Sequence, residues 1–183
     1  MFINRRDEST KKIILNEHEL QLKVFACRAL GAKVVLTIGS WDLLHIGHVR
    51  YLMKAQSYGD VLVVGTDSDR AVKLYKGEYR PIIPEGERLE MVCYLSCVDF
   101  VTTVDDVDEQ GKWQYGLLRL IRPDVFVAVE DSYPPEQCNE IQKCSGELIV
   151  LPRQAESTSS TGIIQKLIKG NPEMMKQLAG GKG

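Results

Sequence analysis

A strong excess of charge of either sign is missing from this 183-residue chain. Its 23 Lys and Arg stand against 25 Asp and Glu, for a formal net charge of -2. Without a basic stripe there is no electrostatic footprint for a polyanion, so no nucleic acid partner is expected. A local positive pocket for phosphates is still compatible. No apolar run approaches the ~18 residues that a membrane span needs, and no membrane partner is expected. Met1 to Thr10 are polar and lack the apolar core of a signal peptide, so the expected location is cytoplasmic. Cysteine is scarce and unpaired in pattern: Cys27, Cys93, Cys97, Cys138 and Cys144 are odd in number and include no CxxC. That spacing suits no zinc site, and it is read as reduced, mostly buried thiols. No internal repeat is visible. The 44% hydrophobic and 26% charged composition is that of an ordinary globular chain.

The hydrophobic pattern alternates between two periods. Lys12 to Leu30 is helical in pattern, with Ile14, Leu15, Leu22, Phe25 and Ala26 available for one face. Lys33 to Gly39 is apolar, β-branched and too short for a helix, hence a buried strand. The same reasoning gives strands at 60–65, 98–104, 125–129 and 147–151, separated by helices at 46–58, 68–75, 85–96, 113–121 and 135–143. The stretch 76–84 holds Gly77, Pro81 and Pro84 and is a loop. Ser159, Ser160 and Thr161 can cap a last helix over 162–168. Alternating strands and helices imply an α/β fold: a Rossmann-like, five-stranded parallel sheet with helices on both faces. The expected organisation is a helical extension at 1–31, one domain at 32–170 and a tail at 171–183.

Ligands of such sheets bind beyond the carboxyl ends of strands. The stretch that follows the first strand is Gly39-Ser-Trp-Asp42-Leu-Leu-His45-Ile-Gly47-His48. Gly39 permits close approach to the backbone. His45 stands at the mouth of the next helix and His48 three residues on, so both rings share one face of its first turn. Gly47 leaves no side chain in the way of a phosphate. Bare amides and the positive helix end favour an anion there, and two imidazoles add donors that can follow charge building on phosphorus.

Here the chain resembles the cytidylyltransferase-like nucleotidyltransferases, whose HxGH signature is matched by His45-Ile-Gly47-His48 after Gly39-x-x-Asp42. Class I aminoacyl-tRNA synthetases share that signature, but no KMSKS-type string occurs here. The resemblance implies catalytic roles for His45 and His48. It also implies nucleotide binding by Ile38, Gly39, Ser40, Trp41, Asp42 and Gly47. The family's closing R-x-x-G-I-S-T-T segment is met by Arg153 and by Ser159-Ser160-Thr161, with the glycine replaced and the spacing longer. Arg153 and the three hydroxyls would then hold the triphosphate. In the middle of the chain Asp67, Lys76, Arg80 and Arg88 look most like the adenylyltransferase domain of ADP-heptose synthases. Val127-Ala-Val-Glu130-Asp131-Ser132 departs from that group. Its acidic pair is closer to glycerol-3-phosphate cytidylyltransferases and to archaeal-type FAD synthetases, and Asp131 joins the candidate substrate ligands.

The activity implied is transfer of AMP or CMP from ATP or CTP to a small phosphorylated substrate, a sugar or polyol phosphate, with heptose 1-phosphate favoured. Mg²⁺ is the expected cofactor, without a dedicated protein cage. A homodimer is what the resemblance suggests. The competing reading is a nucleotide-binding regulator without turnover, favoured by the glycine-poor final motif. A redox switch built on the five thiols has no pair of suitable spacing.

Overall fold

Short runs of Val, Leu and Ile buried on both faces pair in parallel, and they do so here. In the computed structural model, which describes residues 5–170, the strands are β1 (Val34–Gly39), β2 (Val61–Asp67), β3 (Phe100–Val104), β4 (Val125–Val129) and β5 (Glu147–Leu151). They form one five-stranded parallel sheet in the order β3-β2-β1-β4-β5. The expected Rossmann-like sheet is therefore the observed one. The helices are α1 (Arg5–Thr10), α2 (Glu17–Ala29), α3 (Ile46–Gln56), α4 (Asp69–Lys76), α5 (Glu85–Cys93), α6 (Gly116–Ile121), α7 (Pro135–Cys144) and α8 (Ser160–Gly170). The tail expected at 171–183 lies outside the described residues.

Two apolar layers flank the sheet. One joins Tyr51, Leu52 and Ala55 of α3 and Leu89, Val92 and Cys93 of α5 to Val35, Leu62, Val64 and Val125. The other joins α2, α6 and α7 through Leu20, Val24, Leu117, Leu118, Ile121 and Ile141 to Val34, Leu36, Val63 and Phe126. The chain runs outward from β1 to β2 and β3, then returns to place β4 and β5 on the far side of β1. The order of strands thus reverses between β1 and β4, the position where open α/β sheets bind ligands.

The N-terminal segment departs from expectation. Residues 11–16, between α1 and α2, are not helical. Ile13 instead bridges Val101 in parallel, and the amides of Ile14 and Val101 donate to the carbonyls of Val101 and Lys12, both at 2.8 Å. The segment thereby covers the free edge of β3. Asn16 then caps α2, its side chain accepting from the Glu19 amide at 2.9 Å. A turn at 11–12 and extended residues 13–16 shift the helical register, so α2 buries Leu20 and Val24 while Leu22 and Phe25 are 55% and 70% exposed. Leu15 faces out as well. The helix expected from Trp113 starts only at Gly116, because Tyr115 turns left-handed with φ 59 and Trp113 bridges Val107. Of the five thiols, all free, only Cys93 is buried and the others are half-buried.

The face of α2 that carries the packing can be tested by urea denaturation. Leu20→Ala should cost about 2–5 kcal/mol, as for a fully buried leucine. Leu22→Ala should stay within about 0.5 kcal/mol of the unmodified chain.

Candidate active site

At the carboxyl end of the sheet a cleft of about 700 Å³ opens over the β1/β4 switch point. Its floor is Ile38 and Gly39 of β1 and Ala128 and Val129 of β4. Its walls come from the first turn of α3, Lys76 at the end of α4, Arg80 in the loop after it, and the segment from Arg153 to Thr161. That size lies within the range of small-molecule sites.

The gap between β1 and β4 has a local cause. Their pairing runs only through Val35↔Val125 and Leu36↔Phe126. The next pair in register would be Thr37 with Val127. Instead the Tyr51 hydroxyl stands between them, 2.7 Å from Thr37 Oγ1 and donating to the Val127 carbonyl at 2.7 Å. The side chain of α3 thus satisfies a carbonyl that the splayed ladder leaves open. Burial pushes the Tyr51 phenol far up, so the hydroxyl keeps its proton.

His45 and His48 open α3 by capping it reciprocally. His45 is the N-cap residue, in extended conformation, and its Nδ1 accepts from the Gly47 amide at 3.1 Å. His48 Nδ1 reaches back to accept from the His45 amide at 3.3 Å. This is the capping-box arrangement, with imidazoles in place of the usual hydroxyl and carboxylate. It explains the spacing of three and stacks the rings 3.9 Å apart. With both Nδ1 atoms accepting, the proton of each neutral ring sits on Nε2, leaving two N–H donors for a ligand in the cleft. Burial, then the neighbouring His45 and Lys76, lower His48 to about 4, against a weak opposing pull from Asp42. Burial also lowers His45. Both rings are therefore neutral at pH 7, donors that bring no charge of their own.

Three predicted ligands do not line the cleft, and two of them, Asp42 and Arg88, are buried in its frame. Asp42 is fully buried. It accepts from the amides of Ile82 and Ile83 and from Arg80 Nε at 2.8 Å, and pairs with Arg80 Nη2 at 2.7 Å. Burial would raise its carboxyl, but the two amides and the guanidinium outweigh that and hold it below the ordinary range. Its backbone carbonyl accepts from Ser160 Oγ at 2.7 Å, so one residue ties the 76–84 loop to α8. Arg88 is equally buried, donating to the carbonyls of Ile83 and Ser40 and to Asp69 at 2.7 Å. It has no exposed surface with which to meet a substrate. Asp131 is exposed in a left-handed turn (φ 61) and does not line the cleft. Its neighbour Glu130 anchors the Arg153 amide at 3.0 Å.

The glycines are needed for reasons other than ligand approach. A Cβ at Gly47 would lie 2.9 Å from the Ala155 methyl, and one at Gly39 would lie 3.2 Å from the Trp41 indole. Trp41 sits at φ 50, donates its Nε1–H to the Gly65 carbonyl at 2.9 Å and meets His48 edge-on. Ser40 Oγ receives Lys76 Nζ at 2.6 Å. Arg153 is exposed at the cleft rim. Ser159 caps α8, accepting from the Gly162 amide at 3.0 Å, while Ser160 and Thr161 lie in its first turn on the cleft. Asp67 lies elsewhere, in a second cavity of about 410 Å³ above β2 and β3. That cavity shares Ile38, Gly39, Ser40, Lys76, Ser132 and Tyr133 with the first.

Sequence reading did not single out Tyr51, Ser132, Tyr133 or Trp113 as site residues. Tyr51 lies three residues beyond His48, on the same helix face, but an aromatic there reads as core. Tyr133 follows a strand end and could have been found by that rule. Trp113 comes to the site through a left-handed turn that no local pattern announces.

Two measurements check this geometry. Tyr51→Phe strands the Val127 carbonyl and should cost about 1–3 kcal/mol in chemical denaturation; a neutral outcome would remove the phenol from its bridging role. By NMR, His48 should titrate near 4. The unfolded ring takes its proton near 6.5 and the folded one near 4, so the unfolded state binds more protons in that window and stability falls as pH drops through it. A His48 midpoint at or above 6.5 would contradict the buried, neutral ring.

The cytidylyltransferase-like family model matches residues 36–167, from β1 into α8. The bifunctional protein HldE of Geobacter metallireducens is 39% identical over 148 residues, 80% of this chain and 29% of that protein. HldE of Klebsiella pneumoniae is 38% identical over 159 residues, 85% of this chain and 32% of that protein. The chain thus spans under a third of the length of these curated relatives. A lipopolysaccharide core biosynthesis protein from Thermoplasma volcanium superposes with a TM-score of 0.57 at 24% identity, covering 67% of this chain and 98% of that one, which bears on the fold alone. A family match that begins in the strand before the paired histidines and ends in the helix behind Ser160 contains the whole cleft, and the chain belongs to the cytidylyltransferase-like family of nucleotidyltransferases.

Proposed function

We propose that this nucleotidyltransferase moves AMP from ATP onto heptose 1-phosphate, releasing pyrophosphate. The observation that carries the transfer chemistry is the reciprocal cap, which leaves two Nε2–H donors in the cleft at the switch point. The acceptor reading rests on the resemblance of the middle of the chain to the adenylyltransferase domain of ADP-heptose synthases, together with the identity to the HldE proteins. The acidic pair that leans toward glycerol phosphate enzymes is engaged outside the cleft: Glu130 holds the Arg153 amide and Asp131 is exposed.

In the proposed reaction an oxygen of the acceptor phosphate, already ionised at neutral pH, attacks the α-phosphorus in line. The new P–O bond forms as the bond to the β-bridging oxygen breaks, and pyrophosphate leaves with that electron pair. No protein base is needed, so catalysis is positioning and charge stabilisation. His45 and His48 donate from Nε2 to the α-phosphoryl oxygens as charge gathers there. Arg153 at the rim, with Thr161 and Ser159 at the mouth of α8, receives the β- and γ-phosphates. Lys76 and Arg80 face the same space with positive charge. Arg80, already paired with Asp42, acts chiefly by holding its loop.

Enzymes of this kind generally use a divalent metal, and we take it to be Mg²⁺. Among the described residues no three His, Cys, Asp or Glu side chains form a metal cage. Such an ion would be carried in by triphosphate oxygens and water, and would contribute by neutralising phosphate charge. The reading includes a homodimer, on the family resemblance. It also includes a reducing, cytoplasmic setting, supported by five free thiols. Among the described residues no helix is long and apolar enough to cross a membrane.

The test is pyrophosphate release, crossing ATP and CTP with heptose 1-phosphate, glycerol 3-phosphate and FMN. ATP with heptose 1-phosphate should be the fastest pair; no release from any pair would favour a non-catalytic nucleotide binder. On that pair His48→Ala should lower kcat by about 10²–10³, the loss of one transition-state donor. A loss below about tenfold would mean that the ring is there to cap α3, a role whose removal costs only about 0.5–2 kcal/mol of stability.

A further inference from the structure

Lys76 is exposed and is the last residue of α4. An ammonium on a long flexible stem keeps its rotamer freedom unless other groups hold it. Here it is held from two sides. Its Nζ donates to Ser40 Oγ at 2.6 Å, 36 residues away in the chain. It also lies 5.4 Å from the centre of the Tyr75 ring, within cation–π range. Adjacent residues of a helix do not face each other, so α4 alone does not bring these two side chains together. The contact between Tyr75 and Lys76 needs another cause.

That cause is Asp67. The Tyr75 hydroxyl donates to Asp67 Oδ2 at 2.5 Å. Asp67 closes β2 and sits in the ladder opposite Val104, so it is a fixed point of the sheet. Burial of the phenol, then the Asp67 carboxyl, push Tyr75 far up, and the hydroxyl keeps the proton it donates. A phenol that donates to a carboxyl group becomes richer in electrons, and the face of its ring attracts a cation more strongly. Asp67 also acts on Lys76 through space. Burial and Arg80 lower the ammonium, and Asp67 and Asp42 oppose them.

Lys76 and Ser40 line the nucleotide cleft, whereas Tyr75 and Asp67 do not. We propose that Tyr75, anchored by Asp67, is a positioning residue that orders the Lys76 ammonium for the phosphates of the nucleotide. Ser40 ties that ammonium to the end of β1, and Tyr75 ties it to the end of β2. Two strand ends thus fix one charge that its own helix leaves free. Because the order precedes the ligand, nucleotide binding is spared the entropy of freezing a long side chain. A cation fixed in advance attracts the phosphates alike before and after transfer, so its ordering acts on nucleotide binding rather than on the transfer step. The inference rests on the nucleotidyltransferase reading of the first cleft, and it adds what aims the lysine of that cleft.

Tyr75→Phe removes the hydroxyl and keeps the ring, and Tyr75→Leu removes both. With ATP and heptose 1-phosphate, Tyr75→Phe should raise KM for ATP about 3–10-fold, as for one lost hydrogen bond, with kcat within about twofold. Asp67→Ala should match it, and the double variant should be no worse than either, because the two residues form one chain of contacts. In a Lys76→Met background Tyr75→Phe should have no further effect. An unchanged KM overturns the proposal. So does a loss carried by kcat, or one that persists in Lys76→Met, where a merely structural tyrosine would still act.

A second measurement needs no ligand. In the lysine ¹⁵Nζ spectrum of the free chain, assigned with Lys76→Met, the Lys76 ammonium should be motionally restricted and should become averaged in Tyr75→Leu. The two readings then fail separately. A Lys76 signal that is the same in both chains defeats the positioning role and spares the activity. A signal that averages in Tyr75→Leu, from a chain that neither turns over nor binds a non-hydrolysable ATP analogue with Mg²⁺, defeats the nucleotidyltransferase reading and spares the placement of Lys76.

Discussion

The phenol of Tyr51 sits where the sheet stops being a sheet. β1 and β4 are hydrogen-bonded for two residue pairs and then part, and the hydroxyl occupies the place of the next pair between Thr37 and Val127. Splaying adjacent parallel strands inside a protein leaves carbonyls without donors, at a cost comparable to a lost hydrogen bond for each. A water would serve as well only if the gap were wet, and Tyr51 is buried among Trp41, Leu52 and Val127. A phenol projected from α3 supplies the donor and fills the volume together. The cleft exists because this one contact makes the divergence of two strands tolerable.

The charged residues around the cleft divide into those that hold and those that face the ligand. Asp42 and Arg88 take no part in the lining, yet they set the position of everything that does. Asp42 accepts from the Ile82 and Ile83 amides, and Arg88 donates to the Ile83 and Ser40 carbonyls, so the loop before α5 is fixed by both its donors and its acceptors. Lys76 closes α4, and the loop that follows it, with Gly77 and Pro81, has little regular structure of its own. Removing one partner of such a buried ionic frame is costly because the other charge is left uncompensated. The frame is thus a stability element that fixes the loop leading from Lys76 to α5.

The sheet, its five strands and the location of the cleft were legible because β-branched runs, strand–helix alternation and the rule of carboxyl strand ends depend on local pattern. β4 and β5 match the expected bounds to the residue. The paired histidines were legible for the same reason, since their spacing of three is a local cap. What was not legible depends on partners distant in sequence. Asp42 and Arg88 look like ligands because charged residues near a phosphate motif do so, and only their contacts 38 and 48 residues away turn them inward. The apolar stripe of Leu22, Phe25 and Ala26 looks like a core face, and it is displaced because Ile13 and Ile14 join the β3 edge and reset the helix that follows.

Neutral imidazoles are an unexpected choice for the triphosphate site proposed above, and the geometry gives the reason. Two stacked rings 3.9 Å apart cannot both carry a proton without repulsion, and each Nδ1 is already accepting from an amide. A fixed cation there would attract the triphosphate before and after transfer alike, which lowers the ground state with the transition state and gains no rate. Cations are instead set at the periphery, with Arg153 at the rim and Lys76 at the border of the two cavities. The cap leaves at the centre only directed N–H groups, whose bonds strengthen as negative charge accumulates on the oxygens they face. In the proposed reaction, binding charge and reacting charge are in this way met by different residues, and the α3 cap is what separates them.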